Sequence, residues 1–542
     1  MAEVSYQGPA TARRLAGGAT EEALTPGQHR SIFLASIMTL IAAGIGFAVR
    51  GAILGDWATQ FGFTKTELGT ITGGGLTGFG LTIIVCSLFA DRIGYKTVLT
   101  GAFCLHLLSA LITLAASIVF KSMGKDATYW VLFIGMFMFS LGNGLCEAAI
   151  NPLTATLFPK NKTHYLNILH AGWPAGLVLG ALFAFCFAGP SAQISHLRWE
   201  VPMLFFLVPT LIYGLMVLKN PFPISEAKAA GVSMATQIAS ILAPLLIFLF
   251  LIHAMVGYVE LGTDSWITNI MNNVKTTIPN WGLLLFIYIS TLMFILRFFA
   301  GPIVHKINPL GLLFLAACCG AIGLFLLGTV NGLVLIVLAG TVYALGKTFY
   351  WPTMLGVIGE RFPKGGALAM GISGGIGMIS AGMLGGPGIG YSQDRYASEY
   401  LKEKSPMVYQ QFKSDKATGF LTFEPIEGLN GTKVAIADDL GKALSEDVSI
   451  ASKAGTLGKD KNLVDMNSWY AANKETLKEA QPIVKDATIY GGRQALRVTA
   501  LVPTTMAVCY LLLVMYFATK GGYKPLHLET SGEEVAGPTE GL

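Results

Sequence analysis

The amino-acid sequence predicts an all-α integral membrane protein with twelve transmembrane helices in two pseudo-symmetric six-helix halves. The chain of 542 residues is 53% hydrophobic and only 13% charged, whereas soluble domains carry about 25% charged residues. The charges are unevenly placed, since 29 of the 69 lie between residues 393 and 496. Related segments also recur in the two halves of the remaining sequence.

Apolar runs account for the rest of the chain. Outside residues 393–496 the sequence carries only 40 charges, which leaves room for many runs of about 20 apolar residues, the length that crosses a bilayer. Twelve such runs lie near residues 31–54, 67–90, 97–120, 129–157, 164–187, 201–219, 241–263, 281–304, 310–329, 333–358, 367–391 and 496–518. The first is too long and glycine-rich for a cleaved signal peptide.

An internal repeat divides these runs into two sets of six. Gly142–Pro159 and Gly346–Pro363 each place an ionisable residue in a span, a proline five residues later, and a final Phe-Pro pair followed by lysine. The ionisable residues, Glu147 and Lys347, are 200 positions apart. Such residues inside a membrane are costly and mark functional sites. Paired segments of this kind favour a site near the midplane, between the halves.

The repeat and the charges set the predicted organisation. We expect a disordered cytoplasmic tail over residues 1–30, a first half over 31–219, a polar cytoplasmic linker over 220–240, a second half over 241–518, and a cytoplasmic C-terminal tail over 519–542. Basic residues of short loops lie mainly on the side of both termini, which orients them inside. The predicted location is the plasma membrane, as in a bacterial inner membrane.

Residues 393–495 form an insert of about 100 residues between helices eleven and twelve, and this orientation places it outside the cell. We expect a helix near 396–412, irregular polar sequence, and a helix near 467–485 that leads into the twelfth span. A cap, a partner-docking site and a tolerated insertion remain open as its role.

Composition and motifs exclude several classes of protein. The net charge of +5 reflects the basic loops, so no nucleic-acid partner is expected. The sequence lacks H-E-x-x-H, G-x-S-x-G and Walker motifs, so we expect neither an enzyme nor an ATP-driven pump, and no metal or other cofactor. All seven cysteines lie in apolar spans, where inert buried thiols are expected.

The segment from Ser87 to Lys96 (SLFADRIGYK) joins the second and third spans. It resembles the signature loop of the major facilitator superfamily, roughly G-x-L-x-D-R-x-G-x-K, with serine for the first glycine. The resemblance implies a twelve-helix transporter fold with a cytoplasmic gate. Its gating residues here are Asp91, Arg92, Gly94 and Lys96. An acidic side chain at this place can bind a neighbouring helix N-terminus.

A narrower resemblance is to the fucose/glucose/galactose proton symporters. It rests on Glu147 with Asn151-Pro152, Leu166-Asn167, the run from His170 to Gly176, and Tyr258, Glu260 and Trp266. Where several members carry an aspartate late in helix one, this chain has Gly51 beside Arg50. The resemblance implies uptake of a monosaccharide with a proton.

The fourth span carries a polar stripe. Asn143, Glu147 and Asn151 are spaced by four residues and share one helix face. Amides both donate and accept, which suits sugar hydroxyls, and a carboxyl in a low-dielectric site can hold a proton near neutral pH. We predict proton coupling at Glu147 and substrate binding by the two amides. A structural salt bridge from Glu147 to Arg50 or Lys347 is the alternative.

Three residues of the first and fifth spans are further candidates for substrate binding. Arg50 lies late in the first span, where it can be the counter-ion of Glu147 or can snorkel to the outer interface near Asp56. Trp173 and His170 occupy positions where the symporter family carries polar amides. A packing role is the alternative for His170.

The tenth span presents Lys347, Tyr350 and Trp351. The aromatic rings can stack on a sugar ring, and the lysine can donate to hydroxyls or balance Glu147. We predict all three to bind substrate, with packing as the alternative for the aromatic residues.

The seventh span carries Glu260 and Asp264, four residues apart. Carboxylates this close repel, so one is expected to hold a proton, and we predict Glu260 as a second proton- or Na⁺-coupling residue. Asp264 is expected at a water-exposed helix end. Arg297, at the inner end of the eighth span, lacks the acidic neighbour expected of a signature loop, and we assign it a structural role.

Glycines crowd the second span between residues 73 and 80 and the eleventh span between residues 371 and 390. Small residues let helix backbones approach closely. We therefore expect these two spans to pack against each other across the halves.

These features predict a secondary active transporter in the lipid bilayer. It moves a small polar solute, by resemblance a monosaccharide, coupled to a proton or Na⁺ gradient by alternating access, as a functional monomer. Two alternatives remain open: an exporter of a drug-like or metabolite substrate with the same fold, and a non-transporting scaffold or receptor that acts through the insert.

Overall fold

The structure is a computed structural model that describes residues 24–63, 68, 70–72, 75–188, 192–272, 274, 278, 280–453, 457–459 and 461–528. Most of the predicted N-terminal tail, the end of the predicted C-terminal tail, and residues 73 and 74 of the glycine-rich run lie outside this part.

The described chain is almost entirely helical. The helices of its first part are α1 (Pro26–Ala52), α2 (Leu54–Phe61), α3 (Gly75–Ile93), α4 (Tyr95–Leu114), α5 (Ala116–Leu157), α6 (Lys162–His170), α7 (Gly172–Phe187), α8 (Glu200–Lys219), α9 (Glu226–Ala229) and α10 (Met234–Ile241). Those of the second part are α11 (Pro244–Gly257), α12 (Thr263–Asn272), α13 (Trp281–Arg297), α14 (Ala300–Leu327), α15 (Leu333–Lys347), α16 (Tyr350–Arg361), α17 (Gly366–Ser380), α18 (Gly386–Lys404), α19 (Pro406–Phe412), α20 (Gly431–Asp439), α21 (Lys442–Lys453), α22 (Lys461–Thr499) and α23 (Leu501–Thr519).

Apolar helices confirm the predicted all-α membrane fold. Within the described residues, eleven helical stretches are long and apolar enough to cross a membrane, and α13 is a shorter apolar helix. The count of twelve spans stays a prediction. Helix α1 begins at Pro26, before the predicted start at residue 31, because Thr25 and Gln28 form a capping box.

The two halves share their turn geometry. The turn between α3 and α4 is at Gly94 (φ 86°), and the matching turn within α14 is at Asn308 (φ 55°). The next turn is at Gly124 (φ 81°) in the first half and at Gly332 (φ 90°) in the second. Glycine and asparagine are the residues that adopt positive φ most readily. The same backbone plan is therefore built twice, which agrees with the sequence repeat.

The register of the repeat differs from the one taken from sequence. Phe158 (φ −126°, ψ 62°) and Phe362 (φ −128°, ψ 54°) end the two repeated segments in nearly the same conformation. Glu147 lies 11 residues before Phe158, whereas Lys347 lies 15 residues before Phe362. Counted back from the Phe-Pro turn, Trp351 holds the position of Glu147, and Lys347 lies one helical turn further from the turn. The 200-residue offset between Glu147 and Lys347 therefore does not extend to the Phe-Pro turns, which are 204 residues apart.

The halves meet most extensively between α3 and α17, between α6 and α16 and between α7 and α13, and further contacts join α5 with α17 and α6 with α14. A Cβ atom added at Gly80 of α3 would lie 2.8 Å from the carbonyl oxygen of Gly375 in α17, so the two backbones are in direct contact. The predicted packing of the two glycine-rich spans is confirmed. We call the end of the bundle with Asp91 and Glu360 the motif end and the opposite end the insert end.

The insert has a small hydrophobic core of its own, in which Leu401, Phe412, Ile436 and Leu477 are buried. The segment predicted as irregular polar sequence instead contains an antiparallel hairpin, β1 (Thr418–Phe420) and β2 (Phe423–Ile426), followed by α20 and α21. Asn430 caps α20 by accepting hydrogen bonds from the amides of nearby residues. Because charged residues dominate this segment, the few apolar residues that form its core were not recognised as a core from sequence.

Candidate functional site

The signature loop joins the halves at the motif end. Asp91 Oδ2 accepts hydrogen bonds from the backbone N–H of Ala367, at the start of α17, and from Gln237 Nε2, both at 3.2 Å. A carboxylate at a helix N-terminus is electrostatically favoured. Lys96 Nζ donates to two backbone carbonyls at the end of α8. Arg92 is exposed and contributes its backbone carbonyl to Lys228 Nζ.

A second layer of contacts lies beside the loop. Thr163 of α6 donates from its hydroxyl to Glu360 Oε1 of α16 at 2.6 Å. Lys162 pairs with Glu226 of the linker at 2.7 Å and donates to a backbone carbonyl of α16. Asn167 reaches Thr353 Oγ1 at 3.1 Å. Both halves and the linker are therefore joined at the motif end in this structure.

The residues after α23 form a strap across the end of α16. Tyr523 donates its hydroxyl to Glu360 Oε2 at 2.7 Å, and the backbone N–H of Leu526 donates to the Glu360 carbonyl. Arg361 Nη1 donates to the carbonyl of Lys524 at 2.6 Å. Glu360 is thus bound by the first half through one carboxylate oxygen and by the strap through the other.

Removing the strap's hydroxyl should ease opening of the motif end. In Tyr523→Phe, Glu360 loses one of the bonds that orient it toward Thr163, a loss of about 1 kcal/mol. A cysteine introduced at Ala227, which is buried at this end, should react about fivefold faster with a membrane-impermeant maleimide. The exposed Tyr516 provides the control, Tyr516→Phe. Equal labelling rates in the two variants would contradict a role for the strap.

Arg297 ties three second-half helices to the first half. It is 1% exposed, and its Nη2 pairs with Glu260 Oε1 at 3.2 Å. Its Nε donates to the carbonyl of Thr348 at 3.0 Å, and its Nη1 donates to the carbonyl of His170 at the end of α6. The acidic partner of Arg297 is Glu260, 37 positions away in sequence, so it could not be found among the sequence neighbours of Arg297.

Lys347 pairs with Asp264 and not with Glu147. Its side chain is fully buried, it donates to Asp264 Oδ1, and its ammonium lies 5.6 Å from the ring centre of Tyr343. Asp264 is therefore not at a water-exposed helix end as predicted. The cause is a π-helical turn over Tyr258–Gly262, which widens the helix so that Asp264 meets α15 while Glu260 meets α13.

Glu147 has an amide partner. Asn151 Nδ2 donates to Glu147 Oε2 at 2.7 Å, and Asn151 Oδ1 is 2.8 Å from His170 Nε2. No cationic side chain of the described chain forms an ion pair with Glu147. Glu147 is still close enough to act electrostatically with Arg297 and Glu260. The predicted stripe on the fourth span thus reaches the inter-half network through Asn151 and His170.

Arg50 occupies neither of its predicted positions. It is 1% exposed, its Nη2 donates to Ser109 Oγ at 2.9 Å, and its guanidinium lies 3.9 Å from the ring centre of Phe139 and 4.8 Å from that of Phe206. It is therefore neither a counter-ion of Glu147 nor a snorkelling residue. Cation–π contacts inside the first half hold it.

Asn143, Trp173 and Tyr350, the remaining candidates, each contact residues of their own half. Asn143 Oδ1 is bound by His106 Nε2 at 3.1 Å inside the first half, and Trp173 packs edge-on against Phe47. Tyr350 is fully buried and donates its hydroxyl to the carbonyl of Ala316, away from the first half.

Unpartnered polar atoms identify where a ligand would find bonding groups. Among the described residues, both ring nitrogens of His253, the indole nitrogen of Trp351, Oε2 of Glu260 and Nδ2 of Asn143 are buried without a hydrogen-bond partner. The rings of His253 and Trp351 meet at 4.7 Å, edge to face. Buried polar groups are normally satisfied, so this set is suited to a polar ligand. His253 was not among the predicted site residues, although it shares a helix face with Glu260.

Comparisons with known proteins identify the family. The sequence profile of the Major Facilitator Superfamily matches residues 33–387. The L-fucose-proton symporter of Escherichia coli (strain K12) is 26% identical over 133 residues, 24% of this chain and 28% of that protein. The chain thus matches little more than a quarter of that relative's length in sequence.

Solved structures share the fold at low identity. The E. coli fucose:proton symporter has a TM-score of 0.55 at 16% identity, covering 68% of this chain and 93% of its own. A proton:xylose symporter bound to 6-bromo-6-deoxy-D-glucose has 0.56 at 16%, covering 70% and 91%. A bacterial homologue of the human lysosomal transporter Spinster, inward-facing and unoccupied, has 0.57 at 15%, covering 93% and 100%. With the profile spanning well over half of the chain and the helices arranged in the same fold, this protein belongs to the major facilitator superfamily of transporters and resembles its fucose:proton symporters.

Proposed function

We propose that this transporter is a secondary active symporter that carries a monosaccharide together with a proton. The observation that carries the proposal is the state of Glu147, a buried carboxyl whose hydrogen-bond partner is an amide. In this proposal the protein lies in the plasma membrane and acts as a monomer. Both termini and the motif end face the cytoplasm.

Charge balance supports Glu147 as the proton site. Within the described residues, the cluster that surrounds it holds three carboxyl groups and two cationic side chains. Glu260 pairs with Arg297, and Asp264 pairs with Lys347, so each of these charges is balanced by a neighbour. An ionised carboxylate without such a partner is costly to bury, and taking up a proton removes that cost. Of the three carboxyl groups, Glu147 is therefore the one for which protonation removes the largest cost of burial.

The substrate site is proposed between the halves. His253, Trp351 and the free oxygen of Glu260 offer unpartnered donors and acceptors, which suit the hydroxyl groups of a sugar, and the indole of Trp351 adds an apolar face. Lys347 and Trp173 remain predicted substrate contacts. The sugar class is taken from the sequence resemblance to fucose, glucose and galactose symporters and agrees with the sugar symporters of the same fold.

The test is uptake of a panel of labelled monosaccharides into proteoliposomes under an inward proton gradient. We expect gradient-driven accumulation of at least one sugar in the wild type. Glu147→Gln should lose accumulation while retaining sugar exchange, because a neutral amide resembles the permanently protonated carboxyl. Glu200→Gln is the matched control, since Glu200 pairs with Arg198 away from the cluster.

Two outcomes would redirect the proposal. Accumulation that persists in Glu147→Gln would exclude Glu147 as the coupling site. Failure of every sugar to accumulate would remove the sugar assignment and leave the exporter of a drug-like compound or metabolite as the next hypothesis, to be tested by resistance of overexpressing cells.

A further inference from the structure

A continuous polar chain crosses from the first half to the second in the interior of the helix bundle. It runs from Glu147 to Asn151, from Asn151 to the ring of His170, from the backbone carbonyl of His170 to Arg297, and from Arg297 to Glu260. All five side chains are buried. Each link is a hydrogen bond or ion pair, so a change at one end can alter the contact at the other.

The amide in this chain has a fixed direction. Asn151 Nδ2 donates to Glu147 Oε2, which leaves Asn151 Oδ1 as the atom that faces His170 Nε2. An amide oxygen only accepts, so the proton of the His170 ring must be on Nε2. The orientation of Asn151 thus determines which bond the His170 ring can make.

Protonation of Glu147 weakens one of the two bonds that hold that orientation, the charge-assisted bond to Oε2. The second bond, from Asn151 Nδ2 to the backbone carbonyl of Glu147 at 3.0 Å, is unaffected. An ionised carboxylate accepts at both oxygens and requires the amide N–H of Asn151 to face it. A protonated carboxyl has its own O–H donor, which can be directed to Asn151 Oδ1 and compete with His170 for it. The bond between Asn151 and the His170 ring is therefore strongest when Glu147 is ionised.

The position of His170 converts this local change into a change between the halves. His170 is the last residue of α6, and α7 begins at Gly172, so its carbonyl lies at a helix junction. That carbonyl accepts the Nη1 donor of Arg297. A ring held by Asn151 fixes the junction and with it the inter-half bond.

The two charged groups that act on Glu147 from the second half have opposite signs, since Arg297 favours its ionised form and Glu260 disfavours it. Arg297 and Glu260 reach it from the second half, His170 lies beside it on α6, and Cys146 is its neighbour on α5. Arg297 is attracted by Glu260 and also by Glu147. An ionised Glu147 therefore adds to the attraction that keeps Arg297 beside the His170 carbonyl, and a protonated Glu147 does not.

We propose that Asn151 and His170 are positioning residues that transmit the proton occupancy of Glu147 to the bond between the His170 carbonyl and Arg297, and are not ligands of the substrate. This inference rests on the proposed proton-coupled function. It reassigns two residues for which the sequence predicted substrate binding, and it explains how a proton in the first half controls contact with the second.

The experiment measures sugar exchange and proton-driven accumulation in proteoliposomes between about pH 5 and about pH 9, a range that spans histidine and perturbed carboxyl titration. His170→Leu removes the ring bond and keeps the backbone carbonyl. It should lower accumulation about tenfold or more and flatten the pH dependence of exchange. The KM of exchange at low pH should stay within about twofold of wild type. Asn151→Leu should give the same result.

Two further variants make the outcome decisive. His170→Gln keeps a donor for Asn151 and should recover much of the wild-type pH profile, which also guards against misfolding of His170→Leu. His196→Leu, in the loop that contacts Asp56 at the insert end, is the matched control. A raised KM at every pH with an intact pH profile would make His170 a substrate ligand and overturn the inference. Normal coupling in His170→Leu with lost coupling in Glu147→Gln would overturn this inference alone, and unaltered coupling in Glu147→Gln would overturn both.

Discussion

Replacing Arg297 with leucine should abolish transport and destabilise the protein. Glu260 would then be left buried without its cationic partner, since Arg297 Nη2 is the donor that pairs with it. Breaking a buried ion pair from one side costs about 3–5 kcal/mol. The variant would also lose the inter-half bond to the His170 carbonyl. Thermal unfolding of purified protein and uptake into proteoliposomes measure the two effects separately.

The double variant Arg297→Leu/Glu260→Leu distinguishes stability from function. Replacing a whole buried pair by apolar residues is often neutral or stabilising, so its unfolding temperature should return toward that of the wild type. Transport should remain absent, because the inter-half bond is still missing. Arg198→Leu is the surface control, since its pair with Glu200 is exposed on the arginine side and worth at most about 1 kcal/mol. A fully stable Arg297→Leu would mean that Glu260 is protonated in the resting protein.

Apolar runs and the signature loop carried most of the fold prediction. A run of about 20 apolar residues has few alternatives to a membrane helix, and the loop from Ser87 to Lys96 fixes which helices it joins. The N-cap at Thr25 was also present in the sequence, as a Thr-Pro-Gly-Gln capping box before the first span, and it extends α1 beyond the run of apolar residues.

The pairing of charges within the membrane could not be obtained from spacing. Glu260 and Asp264 share a face in a regular helix, but one π-helical turn separates their partners. The tenth span is one turn longer between Lys347 and its Phe-Pro turn than a 200-residue offset implies. A change of one residue in helical register moves a side chain by about 100°, so the correct partners depend on irregularities that the sequence pattern does not mark.

Arg50 illustrates a second limit. Its sequence neighbours favoured the cavity or the outer interface, but Phe139 and Phe206, from two other helices, enclose it in the interior of the first half. Contacts between residues so distant in sequence follow from how the helices pack. The residue pattern on a single helix face therefore cannot predict such contacts.

The contact between α3 and α17 offers a matched pair of glycines on one helix. A Cβ atom at Gly80 would lie 2.8 Å from the Gly375 carbonyl oxygen and 2.8 Å from Ile379 Cγ1. Because one of these is a backbone atom, α17 itself must shift to make room. At Gly78, two residues earlier on the same helix, the nearest atom would be a ring carbon of Phe137 at 3.8 Å, which is ordinary contact.

Alanine at these two positions should therefore have opposite effects. Gly80→Ala should destabilise the motif-end-closed arrangement by about 1–3 kcal/mol through overpacking and reduce transport about tenfold or more, since alternating access needs α3 and α17 to close repeatedly. Gly78→Ala should leave transport unchanged and stabilise the protein by up to about 1 kcal/mol, the gain in helix propensity. Unfolding temperature and initial uptake rate report both effects. Wild-type transport in Gly80→Ala would show that the two helices can separate by the width of a methyl group without affecting the cycle. The contact that moves would then have to lie at another pair of helices between the halves, such as α7 with α13 or α6 with α16.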